Sequence, residues 1–546
     1  MTHTADRTSP FEPARRLGLP PALIESIIAR HDAQQRPRLE LFWAYYRNTA
    51  EPAVMLSGSG GMCGRGMRLA QERGLPARIS GGWDRRPVAA QIAGLSDDRT
   101  WGRKEVVVEN DIAWRIHAMV DFMFGRPVTI SSTARDPQLR RTITRVLDAV
   151  WESSGGIALL QDMGLLGHIF GSVDLIVRAA HPSGEGVSGA DANAGPHDAD
   201  AALLAAATAA VRVAVIEPAG SAAIPRESDP RSAEAFVIRT TNLARDAEPA
   251  PLAQRHPLGA AIRRWFSSAG APGAGDPAIP HRAAVVTTEV LCGSLRQIYT
   301  QVGDAPPVLV HEGPALAALR EHDAPPVIHI QNISQPFAWA GLGEVEPLIP
   351  LQDELNTRLS DRASRVTLQS FKMLLARGVE NAHTLPVAPG VIWSTDNPDA
   401  SIQPFGGDAH SPSEDAHIEQ IREAMDKASG VPPLASGVVR AKIGNLTSEN
   451  ALKVTLMGLL SKTARKRVTY GRGIAQASAL VLDALDRLNI LKTTPADRTV
   501  RIDWTDPLPR DERQALTAAL QKIELGVPRE RVLSELGYGA SDDGLT

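Results

Sequence analysis

The chain has 546 residues, 43% of them hydrophobic, with 58 basic side chains against 62 acidic ones and a formal net charge of −4. Such a chain can fill about three or four average domains or one elongated multi-part subunit. Disorder throughout is excluded, and so is a global positive field, which leaves any nucleic-acid contact to local clusters. Cys63 and Cys292 stand far apart with no CxxC or Cys/His pairing, which argues against a disulfide framework or structural zinc and fits a reducing cytoplasm.

In chain order, residues 1–13 lack the apolar centre of a signal peptide. Helical patterns follow at Ala22–His31 and Arg36–Tyr46; the aromatics Phe42, Trp43, Tyr45 and Tyr46 read as packing, since a stacking platform for bases sits among exposed basic residues on a sheet. Ser57–Gly66 has five glycines but fits neither a dinucleotide nor a phosphate-loop pattern, and reads as a loop. Asn110–Phe124 and Pro137–Trp151 are predicted helices. The apolar run Ile157–Val177 is broken by Asp162, His168 and Asp174 and is too polar to span a bilayer; with no membrane segment in view, the expectation is a soluble protein. Strands are expected at Ile169–Arg178, Val211–Ile216, Ala235–Thr240, Ala283–Leu291, Leu295–Val302 and Val308–His311. Residues 179–210 and 267–280 read as surface insertions, with a helix possible at Ala201–Ala210.

The stretch Gly341–Gly430 organises the rest. A helix over Pro347–Phe371 carries Leu348, Leu351, Leu355, Leu359, Ala363 and Val366 on one side, and a second over Pro412–Ala428 opens with a capping-box spacing at Ser411–Glu414 and closes at Gly430. Short strands are expected between them at Met373–Leu375, Val391–Trp393 and Ile402–Phe405. The pattern by itself fits either a projecting hairpin with a strand-rich knob or an ordinary helical hairpin with a long loop. Val431–Thr447 then reads as a loop, Ser448–Arg467 as a helix interrupted at Gly471 and Gly473 before Ala475–Leu488, Ile502–Pro509 as extended, and Asp511–Ile523 and Arg529–Leu536 as helices.

Motifs for catalysis are missing: no HExxH, G-x-S-x-G, Walker loop or zinc-deaminase pattern occurs. His311 with Glu312, His329 with Asn332, and Asp353, Glu354 and Asp361 read as structural or solvated groups, so no catalytic residue, metal or cofactor is assigned. The local charge anomaly is Arg440–Arg472, where Arg440, Lys442, Lys453, Lys462, Arg465, Lys466, Arg467 and Arg472 face Glu449 alone: eight minus one is +7 in a chain of total −4.

The runs Val327-Ile328-His329-Ile330-Gln331-Asn332, Gly341-Leu342-Gly343-Glu344 through Asn356, and Leu359–Ala363 resemble the segment leading into the stem of tailed-bacteriophage portal proteins of the siphovirus-like kind, the head-to-tail connectors. Phe42–Asn48, Asn110–Thr129 and Lys442–Lys453 match in the same order. The resemblance implies an α+β, elongated portal-type subunit assembling into a ring: a mixed α/β wing over 1–340, stem helices over 341–371 and 411–430, a small strand-containing clip over 372–410, a tunnel loop over 431–447, a tunnel helix over 448–474 and an all-helical crown over 475–546. It further implies a twelve-subunit ring at one capsid vertex that conducts double-stranded DNA during packaging and ejection, and the glycine-flanked loop around Val438 and Val439 makes the expected contact independent of base sequence. The terminase large subunit and head-completion or adaptor proteins would dock on it, with major capsid and scaffolding proteins as further partners, in a virion assembled in the host bacterial cytoplasm. Duplex DNA carries about one phosphate charge per 1.7 Å, so a conduit through which it slides needs few basic belts. Arg440 and Lys442 in the loop are therefore expected to face phosphate, with Lys453 a further candidate and Val438 and Val439 as sliding surface; Trp393, Asp396 and Asn397 are expected at the docking clip; Arg465–Arg467 are expected between subunits or against the crown. The alternatives are a portal-like protein of a gene-transfer agent or defective prophage, and a nucleic-acid-processing enzyme.

Overall fold

A computed structural model describes residues 9–52, 67–76, 79, 105–179, 196–226, 229–243, 284–315, 324–370, 373–377, 398–399, 401–405, 412–436, 449–508 and 512–535. The chain opens with α1 (Pro21–Arg30), which passes through a π turn at His31–Gln35 directly into α2 (Arg36–Arg47). Pro21 and Pro37 fall in first turns, where a missing N–H leaves no bond unmade. After the short antiparallel pair β1 (Ala50–Pro52) and β2 (Met67–Leu69) come α3 (Asp111–Phe124), capped by the Asn110 side chain accepting from the Ala113 N–H at 3.2 Å, then β3 (Val128–Ser132) and α4 (Pro137–Ser153), capped by Asp136. Helix α5 (Gly156–Phe170) replaces the start of the strand expected from Ile169; β4 (Ser172–Ala179) begins only after Gly171. This helix lies among other elements and is apolar on several sides, so its sequence lacks the polar face that marks a helix.

Helix α6 (Pro196–Ala210) leads into β5 (Val211–Ile216), and β6 (Ser221–Arg226), β7 (Asp229–Leu243), β8 (Ala284–Cys292), β9 (Leu295–Val302) and β10 (Val308–Pro314) form an antiparallel sheet in the order β10-β9-β8-β7-β6. Strand β11 (Val327–Gln331) joins β4 and β5 in a second sheet, order β11-β4-β5. A helical hairpin follows as α7 (Ile349–Ser370), β12 (Met373–Arg377), β13 (Ser401–Phe405) and α8 (Pro412–Ser429), and after it come α9 (Glu449–Thr455), α10 (Met457–Arg487), β14 (Val500–Trp504), α11 (Glu512–Glu524) and α12 (Arg529–Glu535).

Three differences from the expected organisation have physical causes. Half of the 179–210 segment is not a surface insertion: alanine-rich α6 buries Ala207 completely in the largest core, against α4 and the three-stranded sheet. Helix α10 runs unbroken through Gly471 and Gly473, and the break falls at Leu456 instead. Gly473 serves close approach, because a Cβ there would overlap the buried Ile330 side chain of β11, whereas one on Gly471 would make an ordinary contact, 3.6 Å from the Trp504 indole nitrogen. Finally, the C-terminal part is not helical throughout. Residues Ala477, Val481, Leu482 and Leu485 of α10 belong to the same core as β4, β5 and β11, and β14 pairs with β3 in register Ile502↔Ile130, which leaves α11 and α12 as the helical end among the described residues.

The motif Gly341-Leu342-Gly343 meets Gly171 where two backbones touch. Gly171 closes α5 at φ 90°, which favours glycine, and a Cβ on Gly343 would lie 2.8 Å from the Ile169 carbonyl oxygen, a backbone atom that cannot swing aside. Gly343→Ala is expected to lower stability by about 1–3 kcal/mol in urea unfolding, the range for overpacking a tight site; an unchanged midpoint would refute this packing.

Candidate functional site

The projecting element is the hairpin of α7 and α8. At ~1.5 Å per residue, the 22 residues of α7 extend ~33 Å. Near its root the hairpin closes on apolar side chains, with Leu348, Leu355 and Leu359 of the first leg and Ile418, Ile421 and Met425 of the second all buried. Farther out the stripe meets water, as Val366 at 43% exposure shows, and the cross-helix contacts become ionic: Arg362 with Asp415 at 3.3 Å, and Arg365 with Glu414. Beyond the legs, β12 and β13 pair antiparallel, Met373 opposite Phe405 and Arg377 opposite Ser401.

The first leg is laced along one side to an extended segment, residues 105–111. Backbone N–H groups of Glu105, Val107, Glu109 and Asp111 donate in turn to Ser364 Oγ (3.2 Å), Ser360 Oγ (3.0 Å), Asn356 Oδ1 (3.0 Å) and Gln352 Oε1 (3.0 Å). The two periods match: two residues of extended chain advance roughly 6.6 Å, and four residues of helix roughly 6 Å. Gln352, Asn356 and Ser360 are fully buried, and their remaining groups are used. Gln352 Nε2 donates to Glu109 O and Asn356 Oδ1, Asn356 Nδ2 to Gln71 Oε1, and Gln71 Nε2 to the Tyr45 carbonyl. Tyr45 in turn donates its hydroxyl to Asp353 at 2.8 Å, so this acid of the first leg is tied to α2 rather than solvated, and burial raises its carboxyl above the ordinary range.

On the other side of the root sits a buried charge cluster. Glu344, 2% exposed, receives Lys462 Nζ at 2.5 Å and Lys466 Nζ at 2.7 Å; Lys462 also donates to the Ser429 carbonyl at the end of α8, and the Glu344 N–H donates to His168 O of α5. Burial alone would raise the Glu344 carboxyl, but the two ammonium groups hold it below its usual value. Lys466 is pushed down to about 8, chiefly by burial, and His168, fully buried, is held well below the normal imidazole range by the same cause. The basic run therefore spends two of its cations inside the subunit. Arg467 is also engaged within the chain, its guanidinium 5.2 Å from the Trp504 ring centre and donating to the Phe122 and Thr505 carbonyls.

Of the residues expected to face DNA, Val438, Val439, Arg440 and Lys442 lie outside the described residues, and so do Trp393, Asp396 and Asn397 of the expected clip. Lys453 is placed half-buried on α9, next to exposed Val454 and close to exposed Met457. The other singled-out groups have structural tasks. His329 is held at 2.7 Å by both the Asp174 carboxylate and the Trp339 carbonyl, Glu312 accepts from Arg16 and Gln297, and Asn332 accepts from the Tyr470 hydroxyl. Among the described residues no group of three or more His, Cys, Asp or Glu is placed to hold a metal, and no helix is long and apolar enough to cross a membrane. The lacing residues and the Glu344 cluster escaped the sequence reading. The four-residue spacing of Gln352, Asn356, Ser360 and Ser364 was a usable signal, being a second, polar stripe beside the leucines.

A two-legged helical hairpin carrying a strand pair at its far end and fixed at its root to a mixed α/β body is the arrangement that the resemblance to portal subunits implied. Residues 323–537, which hold β11, both legs and α10, match the family model described as "Phage portal protein, SPP1 Gp6-like". Among solved structures, it is similar to a chain from the neck of an empty gene transfer agent (GTA) particle computed with C6 symmetry, at 11% identity and TM-score 0.41, covering 89% of this chain and 98% of that one. It is also similar to a chain from the virion of a native gene transfer agent particle (11%, 0.38, 92% and 100%) and to one from the neck of a native GTA particle computed with C12 symmetry (10%, 0.40, 78% and 89%). No curated protein matches it.

Glu344→Gln leaves Lys462 and Lys466 facing one another without their anion and is expected to cost about 3–5 kcal/mol, whereas Lys466→Met keeps the Lys462 pair and costs less; equal losses in chemical unfolding would refute the assigned hierarchy. Between pH about 8 and 10.5 the unfolded chain still binds the proton that folded Lys466 has released, so stability contributed by this site rises with pH across that window, and Lys466→Met lacks the rise. Asn356→Ala removes the partner of the Glu109 N–H and of Gln71 Oε1; a loss of about 1–3 kcal/mol is expected, with faster amide exchange at residues 105–111 as the local readout.

Proposed function

We propose that this chain is a portal subunit, one wedge of a ring through which double-stranded DNA enters a capsid during packaging and leaves during ejection. The observation that carries the reading is the coincidence of the family match with the hairpin: residues 323–537 take in the legs, the root that fixes them and the long helix α10. In this reading α7 and α8 are the stem that crosses the shell, and the strand pair at their far end is the clip on which the terminase large subunit and head-completion proteins dock. Residues 431–447 form the tunnel loop, and the body before residue 341 is the outward wing. The ring would hold twelve copies, sit in the virion at one vertex, and assemble in the host bacterial cytoplasm with capsid and scaffolding proteins. The subunit hydrolyses nothing; its work is positional.

DNA contact in this reading is independent of base sequence. Arg440 and Lys442 are flanked by Gly437, Val438, Val439 and Gly444, small or apolar residues that pass a sugar-phosphate backbone without fixing register, whereas base readout requires rigidly held side chains in a groove. With Lys462 and Lys466 bound to Glu344, the cations left for the lumen are few, as a sliding contact requires. The same subunit would serve a phage head or a gene-transfer particle, and neighbouring terminase and capsid genes decide between them.

Negative-stain images of the purified full chain are expected to show rings with a central channel. Lys442→Glu is expected to assemble as the wild type does and to lower the yield of packaged DNA; an unchanged yield would refute the placement of Lys442 in the conduit.

A further inference from the structure

Phe337 is 91% exposed, and its backbone lies at φ 59°. It follows Pro336 in a tight turn, at a position where a positive φ ordinarily goes to glycine or asparagine. One residue thus combines an unfavourable backbone conformation with a large apolar side chain in water, the kind of local strain that persists where function requires it. The turn is built to hold this side chain out. Gln331 Nε2 donates to the carbonyls of Ala338 (2.7 Å) and Trp339 (2.9 Å), and the Gln335 N–H donates to Gln331 Oε1 (3.0 Å). Behind it Trp339 stacks on His329 at 3.9 Å, and that ring is itself held by Asp174. A rigid, already ordered aromatic loses little freedom on docking.

Elsewhere on the subunit is a cleft of about 530 Å³ between β3, α4 and the first turn of α5, walled by Val128, Ile130, Trp151, Ile157 and Leu160, with Ile157 41% exposed. Asp148 and Glu152 also line it, and neither makes an ion pair among the described residues; burial raises the Asp148 carboxyl. The cleft and the turn are far apart in one chain. Ile157 and Leu160 lie at the start of α5, whereas the end of that helix, at Gly171, accepts the N–H of Asn332 beside the turn, so about 15–20 Å of helix separates them. They also flank opposite edges of the three-stranded sheet: the turn follows β11, while the end of α4 meets β5, where Ser154 Oγ accepts from the Val213 N–H. Beside the turn, Arg472 lines a groove with Ser334 and Trp339 and makes no ion pair among the described residues.

We infer that Phe337 of one subunit inserts into the Val128–Trp151–Ile157 cleft of the next, with Arg472 set against Asp148 and Glu152. The occupant is a second copy of this chain because the knob and the hole, with opposite charges beside them, belong to the same polypeptide and cannot meet within it. Such a contact is head-to-tail, using a different patch on each partner, and closes into a ring when its rotation permits. The inference rests on the ring reading above and specifies which surfaces make the ring.

Two experiments on the full chain test it. In the double variant Phe337→Cys with Ile157→Cys, mild oxidation is expected to produce a ladder of covalent multimers on non-reducing gels that neither single variant produces. Rings visible by negative stain without that ladder would overturn this contact and leave the portal reading intact, whereas a wild-type chain that forms no oligomer would overturn both. Phe337→Gly relieves the positive φ, so the unassembled subunit is expected to melt at or above the wild-type temperature while the concentration needed for assembly rises more than about tenfold. Assembly at the wild-type concentration would overturn the proposal.

Discussion

The hairpin projects because its root is fixed by hydrogen bonds whose two partners share a repeat. An extended strand and a helix have different rises, yet residues 105–111 and the Gln352, Asn356, Ser360 and Ser364 side chains stay in step over four contacts. A typical intramolecular hydrogen bond adds only about 0.5–1.5 kcal/mol net, so the ladder matters less as a sum than as a constraint. Three of its four side chains, Gln352, Asn356 and Ser360, are buried, and any axial slip of the helix would strand them at once. One face of α7 supplies apolar attraction and the adjacent face supplies register.

The Glu344 cluster does related work with a different balance. A buried carboxylate between two ammonium groups gains Coulomb energy but gives up hydration, so such clusters rarely improve on a well-packed apolar core in stability. What the cluster contributes is placement: the segment entering the stem, the end of α8, α5 and α10 all bind to it within hydrogen-bond distance. In the same way Gly171, Gly341 and Gly343 let backbones approach closely enough for the connection between body and stem to be short.

The legs were legible from the sequence because each has a clear period and clear ends: Pro347 and Pro350 at the start of one, the Ser411–Glu414 capping pattern and Gly430 around the other. The strands of the antiparallel five-stranded sheet were legible for a similar reason. Helix α5 was not, since a helix enclosed by other elements has no polar side to betray its period. Gly471 and Gly473 were misleading as breakers, because helix propensity is overridden by packing, and at Gly473 the backbone must lie close to Ile330 of β11. For the charged run 440–472, spacing alone could not reveal that Glu344, more than a hundred residues earlier, takes two of its lysines. The polar stripe on α7 was visible but carried no partner until residues 105–111 were placed beside it.

Strand β14 carries a consequence for the making of the subunit. It pairs with β3, formed by residues near position 130, from a location near position 500. During translation β3 has no strand partner among the described residues until β14 has left the ribosome, and contacts of such long sequence separation are slow to form. A product cut short before β14 would leave β3 unpaired, so the arrival of this distant strand completes that part of the fold.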